Sequence, residues 1–204
     1  MPLVTQAQLL SEIERCAEGK SRILIGIAGP PGSGKSTIAE ALAQGLRLPA
    51  AVVPMDGFHL DNAELIPLGL LERKGAPETF DAAAFAALVR RLRSDTTITY
   101  PTFDREADKT VPDGAAVSAD TRVLLIEGNY LLLNRAPWSE LDGLFDLTVR
   151  LDVPRATLHA RLVERWRNHG LSPADATARA EGNDMRNADV VLNEGRAADF
   201  TVQS

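Results

Sequence analysis

Apolar residues follow two rhythms along this chain. Runs that are apolar on consecutive positions, RILIGIAG (22–29), AAVVPMD (50–56), VLLIEG (123–128) and LFDLTVRLDV (144–153), predict strands. Residues 35–46, 80–94, 154–168 and 173–182 carry apolar side chains at helical spacing and predict helices. The order is β-α-β at the start, and ADVVLN (188–193) is expected to close the sheet as its last strand. Strands that are apolar on both faces need helices over both, so the pattern predicts a parallel, doubly wound α/β sheet of about five strands. Near the N-terminus, Leu9, Leu10, Ile13 and Cys16 mark one face of a helix. Residues 96–120, TTITYPTFDREADKTVPDGAAVSAD, fit neither rhythm and are expected to pass over the strand ends.

Length and charge narrow the classes. With 204 residues, 45% of them hydrophobic, the chain can bury a full core, and its length predicts one domain over residues 1–204. A net charge of -6 offers no basic footprint, so neither nucleic acid nor an anionic membrane is expected as a partner, and any anion site must be local. Cys16 is the only cysteine, cannot form an internal disulfide, and is expected to be a buried structural thiol. Residues 1–19 lack the basic start and continuous apolar stretch of a secretion signal, and no window reaches membrane-spanning length, so the cytoplasm is the expected location. Whether the chain acts alone or as a homodimer is left open.

Directly after the first predicted strand comes GPPGSGKST, residues 29–37, which meets the spacing G-x-x-x-x-G-K-[ST] and opens a helix with Ile38, Leu42 and Leu46 on one face. Glycines at this spacing let the backbone curl with its N–H groups inward, and the helix N-terminus adds a positive dipole end, which together suit phosphate. Gly29, Pro30, Pro31, Gly32, Ser33, Gly34, Lys35, Ser36 and Thr37 are therefore the candidate contacts to a nucleoside triphosphate. Lys35 is placed to reach the outer phosphates, and the Ser36 hydroxyl to meet Mg²⁺.

Such a cradle is shared by GTPases, motor ATPases, metallochaperones and kinases. Two carboxylates at predicted strand ends narrow it. Ligands of doubly wound sheets sit at the carboxyl ends of the strands, where Asp56 closes the second strand and Glu127 closes VLLIEG. Asp56 is a candidate to accept the proton of an attacking hydroxyl or to help hold Mg²⁺. Glu127 ends an apolar run where a carboxylate needs a cation or donors, which makes it the metal partner after Ser36. In HLDNAELIPLGLLERKGAPETFD, the polar residues His59, Asp61, Asn62, Lys74 and Glu78 offer the paired donors and acceptors that a polyol needs.

With GPPGSGKST, MDGFH, RKGAPETFD, YPTFDREAD and VLLIEGNYLLL in that order, the chain resembles the phosphoribulokinase/uridine kinase family of P-loop kinases over most of its length. DGFHLDN followed by RKGAPETFD is most similar to the pantothenate-kinase-like branch and to bacterial proteins described as fructose transport system kinases. The resemblance implies ATP-dependent phosphorylation of a small-molecule hydroxyl with Asp56 as base. It also implies Lys74 and Tyr100 as residues around the acceptor. A hexose such as fructose is the leading acceptor on this ground, with pantothenate and a nucleoside behind it.

PRATLHARLVERWRNHG places Leu158, Leu162 and Trp166 on one helical face and Arg161 and Arg165 on another, with a helix stop at Gly170 and a new start at Ser172 and Pro173. Residues 154–182 are thus expected to form a helical lid, and residues 57–80 and 96–120 the acceptor-side loops. In the resembled family, arginines of this region approach the transferring phosphoryl group, which makes Arg161 and Arg165 the candidates here and Arg167 a reserve. Asn183 and Asn187 precede the expected last strand, where folds of this kind contact adenine, and Asn187 is the candidate. The competing class is an ATP-switched regulatory or chaperone protein, which has little use for so many polar groups beside the γ-phosphate.

Overall fold

The computed structural model describes residues 1–94 and 96–203. In chain order its elements are α1 (Gln6–Cys16), β1 (Ile23–Ala28), α2 (Lys35–Gly45), β2 (Ala50–Pro54), the short α3 (Asn62–Leu65), α4 (Ala82–Leu92), β3 (Ile98–Asp104), β4 (Lys109–Val117), β5 (Val123–Gly128), β6 (Leu147–Asp152), α5 (Arg155–Asn168), α6 (Pro173–Arg179), α7 (Met185–Glu194) and β7 (Phe200–Gln203). Five strands pair in parallel in the order β2-β5-β1-β6-β7, with β1 at the centre and β5 on its inner side. Every residue of β1 and β5 is buried, as consecutive apolar runs require. The pleat then sorts β1 between two cores. Ile23, Ile25 and Ile27 pack with Leu9, Ile13 and Leu42 of α1 and α2, while Leu24 and Ala28 join Phe85 and Val89 of α4.

Three expectations change. Residues 188–193 are not a strand: they lie inside α7, and the sheet closes with β7. The stretch ADVVLN hides a helical spacing, since Met185, Ala188 and Val191 are buried positions, three apart, and the polar Asn187 is buried with them. The true last strand, FTVQ, is short and half polar, with only Thr201 and Val202 buried, so it shows no apolar run. Second, the strand expected to end on Asp56 stops at Pro54, and Met55–Phe58 coil into a 3-10 turn. Third, residues 96–120 take regular structure of their own: β3 and β4 form an antiparallel ribbon outside the main sheet, with Tyr100 opposite Ala115 and a register shift between Tyr100 and Thr102.

This ribbon is seated directly on the turn after β2. A Cβ added at Gly57 would lie 1.9 Å from the Pro101 carbonyl oxygen, so the two backbones touch where no side chain fits. Among the described residues, no helix is long and apolar enough to cross a membrane. Gly57→Ala is expected to push the ribbon off the turn and to cost roughly 1–3 kcal/mol of stability, the range for overpacked sites. Urea unfolding of the variant and the parent would measure it, and equal midpoints would show that the contact is not rigid.

Candidate active site

The cradle lies between β1 and α2. Gly32 and Gly34 have φ of +79° and +86°, a left-handed backbone that side-chain-bearing residues rarely take, and Gly34 passes straight into α2. The curl buries the Ser33 hydroxyl, which among the described residues has no hydrogen-bonding partner. An orphaned hydroxyl in a glycine curl suits a phosphate oxygen. Gly29 is needed for closeness, because a Cβ there would stand 2.7 Å from Ser33 Oγ. Lys35 is buried and folds back so that Nζ donates to the Pro30 carbonyl at 3.1 Å. Burial pulls its ammonium down from the ordinary lysine range, opposed by the charges of Glu127 and Asp56. Pro31 is half-buried, and Thr37 is exposed on the first turn of α2.

Strand register sets the carboxylates. β2 and β5 run side by side with Pro54 opposite Glu127, which brings Glu127 and the turn carrying Asp56 to the same end of the sheet. Glu127 accepts a hydrogen bond from Ser36 Oγ at 3.0 Å. Burial pushes its carboxyl up from the usual carboxylate range, with the Lys35 charge pulling the other way. Among the described residues, no group of three or more His, Cys, Asp and Glu gathers to hold a metal. A hydroxyl and one carboxylate instead suit a Mg²⁺ that arrives on nucleotide phosphates and keeps much of its water.

Asp56 faces the ribbon. Its Oδ2 accepts from Arg105 Nη2 at 2.5 Å, and Arg105 sits just beyond β3, in the turn between β3 and β4. Reading the sequence does not single out Arg105, although it lies within YPTFDREAD, because residues 96–120 fit neither the strand nor the helix rhythm. His59 stacks between Phe80 and Phe103, at centroid distances of 4.0 and 4.5 Å, and its Nδ1 lies 2.8 Å from the Asp56 carbonyl. Lys74 Nζ donates to Asn62 Oδ1 at 2.7 Å and to the Asp108 carbonyl at 2.9 Å, with the Asp108 carboxylate at 3.0 Å. These residues converge with Asp56. Glu78 is exposed in the 3-10 turn Pro77–Thr79, and Tyr100 is buried under the ribbon with its hydroxyl donating to the Val52 carbonyl at 3.1 Å.

Helix α5 leans on the cradle. Arg161 Nη1 donates to the Gly32 carbonyl at 3.3 Å, and a Cβ at Gly32 would meet Leu162 at 3.2 Å. Arg165 lies near enough to lower the Lys35 ammonium, pairs with Asp184 at 3.8 Å and covers the Trp166 ring at 5.1 Å. Arg167 turns away to Glu164. Asn187 does not precede a strand. It is buried in α7, accepting from Arg73 Nη2 at 3.1 Å, while Asn183 accepts from Arg73 Nη1 at 2.6 Å and donates to the Lys74 carbonyl at 2.8 Å. The two amides hold the acceptor-side loop, a role that reading them as adenine contacts did not foresee.

Burial lowers the His59 imidazole from its ordinary value of 6.5, opposed by Asp56. The folded state therefore binds fewer protons than the unfolded chain, and the stability due to neutral His59 is complete above pH 6.5 and lost as pH falls through the lowered folded value. His59→Gln is expected to flatten the loss of stability between pH 7.5 and pH 5.5, measured by urea unfolding. Parallel pH profiles for the two proteins would contradict it.

Residues 24–170 match the phosphoribulokinase/uridine kinase family model. A solved structure from Silicibacter sp. TM1040, described as a "putative fructose transport system kinase", superposes with a TM-score of 0.94 at 46% identity, over 97% of this chain and 98% of that one. "Putative uridine kinase C227.14" of Schizosaccharomyces pombe is 37% identical over 90% of this chain and 84% of its own length. A pantothenate kinase of Clavibacter michiganensis subsp. michiganensis is 34% identical over 78% of this chain, which spans 57% of that longer protein. The chain belongs to the phosphoribulokinase/uridine kinase family and is a P-loop kinase, a phosphotransferase that uses ATP on a small molecule.

Proposed function

We propose that this kinase transfers the γ-phosphoryl group of Mg-ATP to a hydroxyl of a small polyhydroxylated metabolite, with Asp56 as the base. The observation that carries the reading is the convergence of Lys35, the Ser36–Glu127 pair and Asp56 at one end of the sheet. Mg-ATP supplies the transferable phosphoryl group. Cradle N–H groups, the Ser33 hydroxyl and Lys35 hold its phosphates, and Ser36 with Glu127 holds the metal. Asp56 takes the proton of the acceptor hydroxyl as the new O–P bond forms and the bond to the β–γ bridging oxygen breaks, releasing ADP.

Residues 57–80 and the ribbon over residues 96–120 form the acceptor side, with His59 and Lys74 facing the acceptor and Glu78 at the rim. Tyr100 then supports the wall from beneath through Val52 rather than touching the acceptor. Helices α5 and α6 form the lid, where Arg161 at Gly32 and Arg165 beside Lys35 stand ready to offset charge on the phosphoryl oxygens. A sugar such as fructose is the first acceptor to try, supported by the name of the Silicibacter relative, and pantothenate and a nucleoside follow from the other relatives. A coupled ADP-release screen over sugars, polyols, vitamins and nucleosides tests the assignment.

Asp56→Asn keeps shape and removes the proton acceptor, so turnover should fall by about 10²–10⁴ while Mg-ATP still binds. If Mg²⁺-dependent nucleotide binding vanishes instead, Asp56 is chiefly a metal ligand.

Lys35→Ala removes a charge-assisted contact to the outer phosphates, and activity should drop by about 10²–10³. Titration with ATP and circular dichroism of the same preparation separate this from unfolding. Wild-type turnover and affinity would remove the cradle assignment.

A further inference from the structure

The contact between Arg105 and Asp56 points to the chemistry of the acceptor. Arg105 Nη2 engages Asp56 Oδ2, the carboxylate proposed as base, while its own side chain is 68% exposed. While the guanidinium N–H engages Oδ2, Oδ1 is the oxygen left open to a hydroxyl proton. The turn that carries the arginine is anchored. Asp104 accepts from the N–H groups of Glu106 and Ala107 at 3.0 and 2.9 Å, which closes a tight turn around Arg105, and the ribbon is seated on Gly57.

Arg73 and Lys74, in the acceptor-side loop over residues 57–80, already have fixed partners. Lys74 is held by Asn62 and Asp108, and Arg73 by Asn183 and Asn187. An exposed ion pair such as Arg105–Asp56 holds its partners only weakly, so Arg105 can exchange one anion for another at little cost. The forked guanidinium suits a carboxylate or a phosphate, which it can grip with two parallel hydrogen bonds. A neutral acceptor gives the guanidinium no new partner, so its reacting hydroxyl has to share the Asp56 carboxylate with Arg105. An anionic acceptor gives the arginine a new partner and leaves Asp56 to the hydroxyl.

We propose that the acceptor carries a carboxylate or phosphate group beside its hydroxyl, and that Arg105 leaves Asp56 to bind that group. The proposal rests on the reading of Asp56 as the base. It deepens that reading by naming a polyhydroxylated anion, a sugar acid or a sugar phosphate, as the substrate class. Binding of the correct acceptor then unmasks the base, so that selectivity arises in turnover as well as in affinity.

Matched acceptors test it in the ADP-release assay: glycerol, glycerate and glycerol 3-phosphate, then fructose, gluconate and fructose 6-phosphate. Turnover is expected to favour an anionic member of a set over its neutral partner, and the carboxylate and phosphate arms tell which anion is read. Arg105→Met should raise KM for that acceptor roughly 10- to 100-fold, as loss of a hydrogen bond between charged groups does, and leave ATP affinity unchanged. Arg105→Lys should restore part of the loss, since it keeps the charge without the fork. Turnover of a neutral acceptor should rise in Arg105→Met, because the guanidinium no longer shares Asp56 with its hydroxyl. Preference for a neutral acceptor, or an unchanged KM for the anionic one, overturns the proposal and leaves the kinase reading intact. Binding of ATP with no turnover of any compound instead defeats the kinase reading beneath it.

Discussion

Two opposite charges buried together, Lys35 and Glu127, set the terms for the end of the sheet where β1 and β5 stop. Either alone would be costly in an interior this apolar, and burial presses each toward its neutral form. The pair is tolerated because each has a second partner: Pro30 takes the lysine through its carbonyl, and Ser36 donates to the glutamate. These partners belong to the loop and first turn that carry the cradle, so the curl after β1 is fastened to β5 by its polar residues. Parallel pairing is the prior condition. With both faces of the sheet sealed by helices, polar side chains can collect only beyond the strand ends.

That arrangement explains why the acceptor side is built from segments far apart in sequence. Ligand-facing groups must come over the strand ends from loops, and each loop needs a fixed seat. Residues 75–79 are tied by Tyr130, whose hydroxyl donates to the Gly75 carbonyl at 2.6 Å, and by Trp138, whose indole donates to the Pro77 carbonyl at 3.2 Å. The ribbon is seated at Gly57 and joined to the loop through Asn62, Lys74 and Asp108. Backbone contact and buried hydrogen bonds of this kind fix position closely, as a reacting hydroxyl requires.

Much of this was legible because it follows local rules. Consecutive apolar runs announced β1, β5 and the central pairing, and the glycine spacing of residues 29–37 announced the curl. What failed was the reading of short segments that depend on tertiary context. ADVVLN had the look of a strand, yet it is helical, with Met185 and Ala188 packed against Leu158 and Leu162 of α5 and Val191 in the core beside the sheet. FTVQ pairs with β6 although it has little apolar character. Arg105 went unnoticed because its meaning lies in its distance from Asp56, forty-nine positions earlier, and only the ribbon's register sets that distance. The place of Asn187 was missed for a related reason: it lies within α7 rather than before a strand, and its partner Arg73 is 114 positions away.

The phosphate side and the acceptor side are not independent. Between α6 and α7 the chain widens into a π-helical segment, Ala180–Asp184, and two neighbouring residues there face opposite ways. Asp184 accepts from Trp166 Nε1 at 2.5 Å and pairs with Arg165, so it holds the helix that carries Arg161 and Arg165. Asn183 binds Arg73 and the Lys74 carbonyl, so it holds the loop that faces the acceptor. Helix α5 and the backbone of Lys74 are therefore tethered to two adjacent residues of one segment. Both side chains are buried, and turning either away from its partners would leave a polar group unsatisfied. The arginines that would meet the phosphoryl group and the lysine that would meet the acceptor are in this way placed by one short segment of the chain, which makes their mutual alignment a property of the fold rather than of either loop.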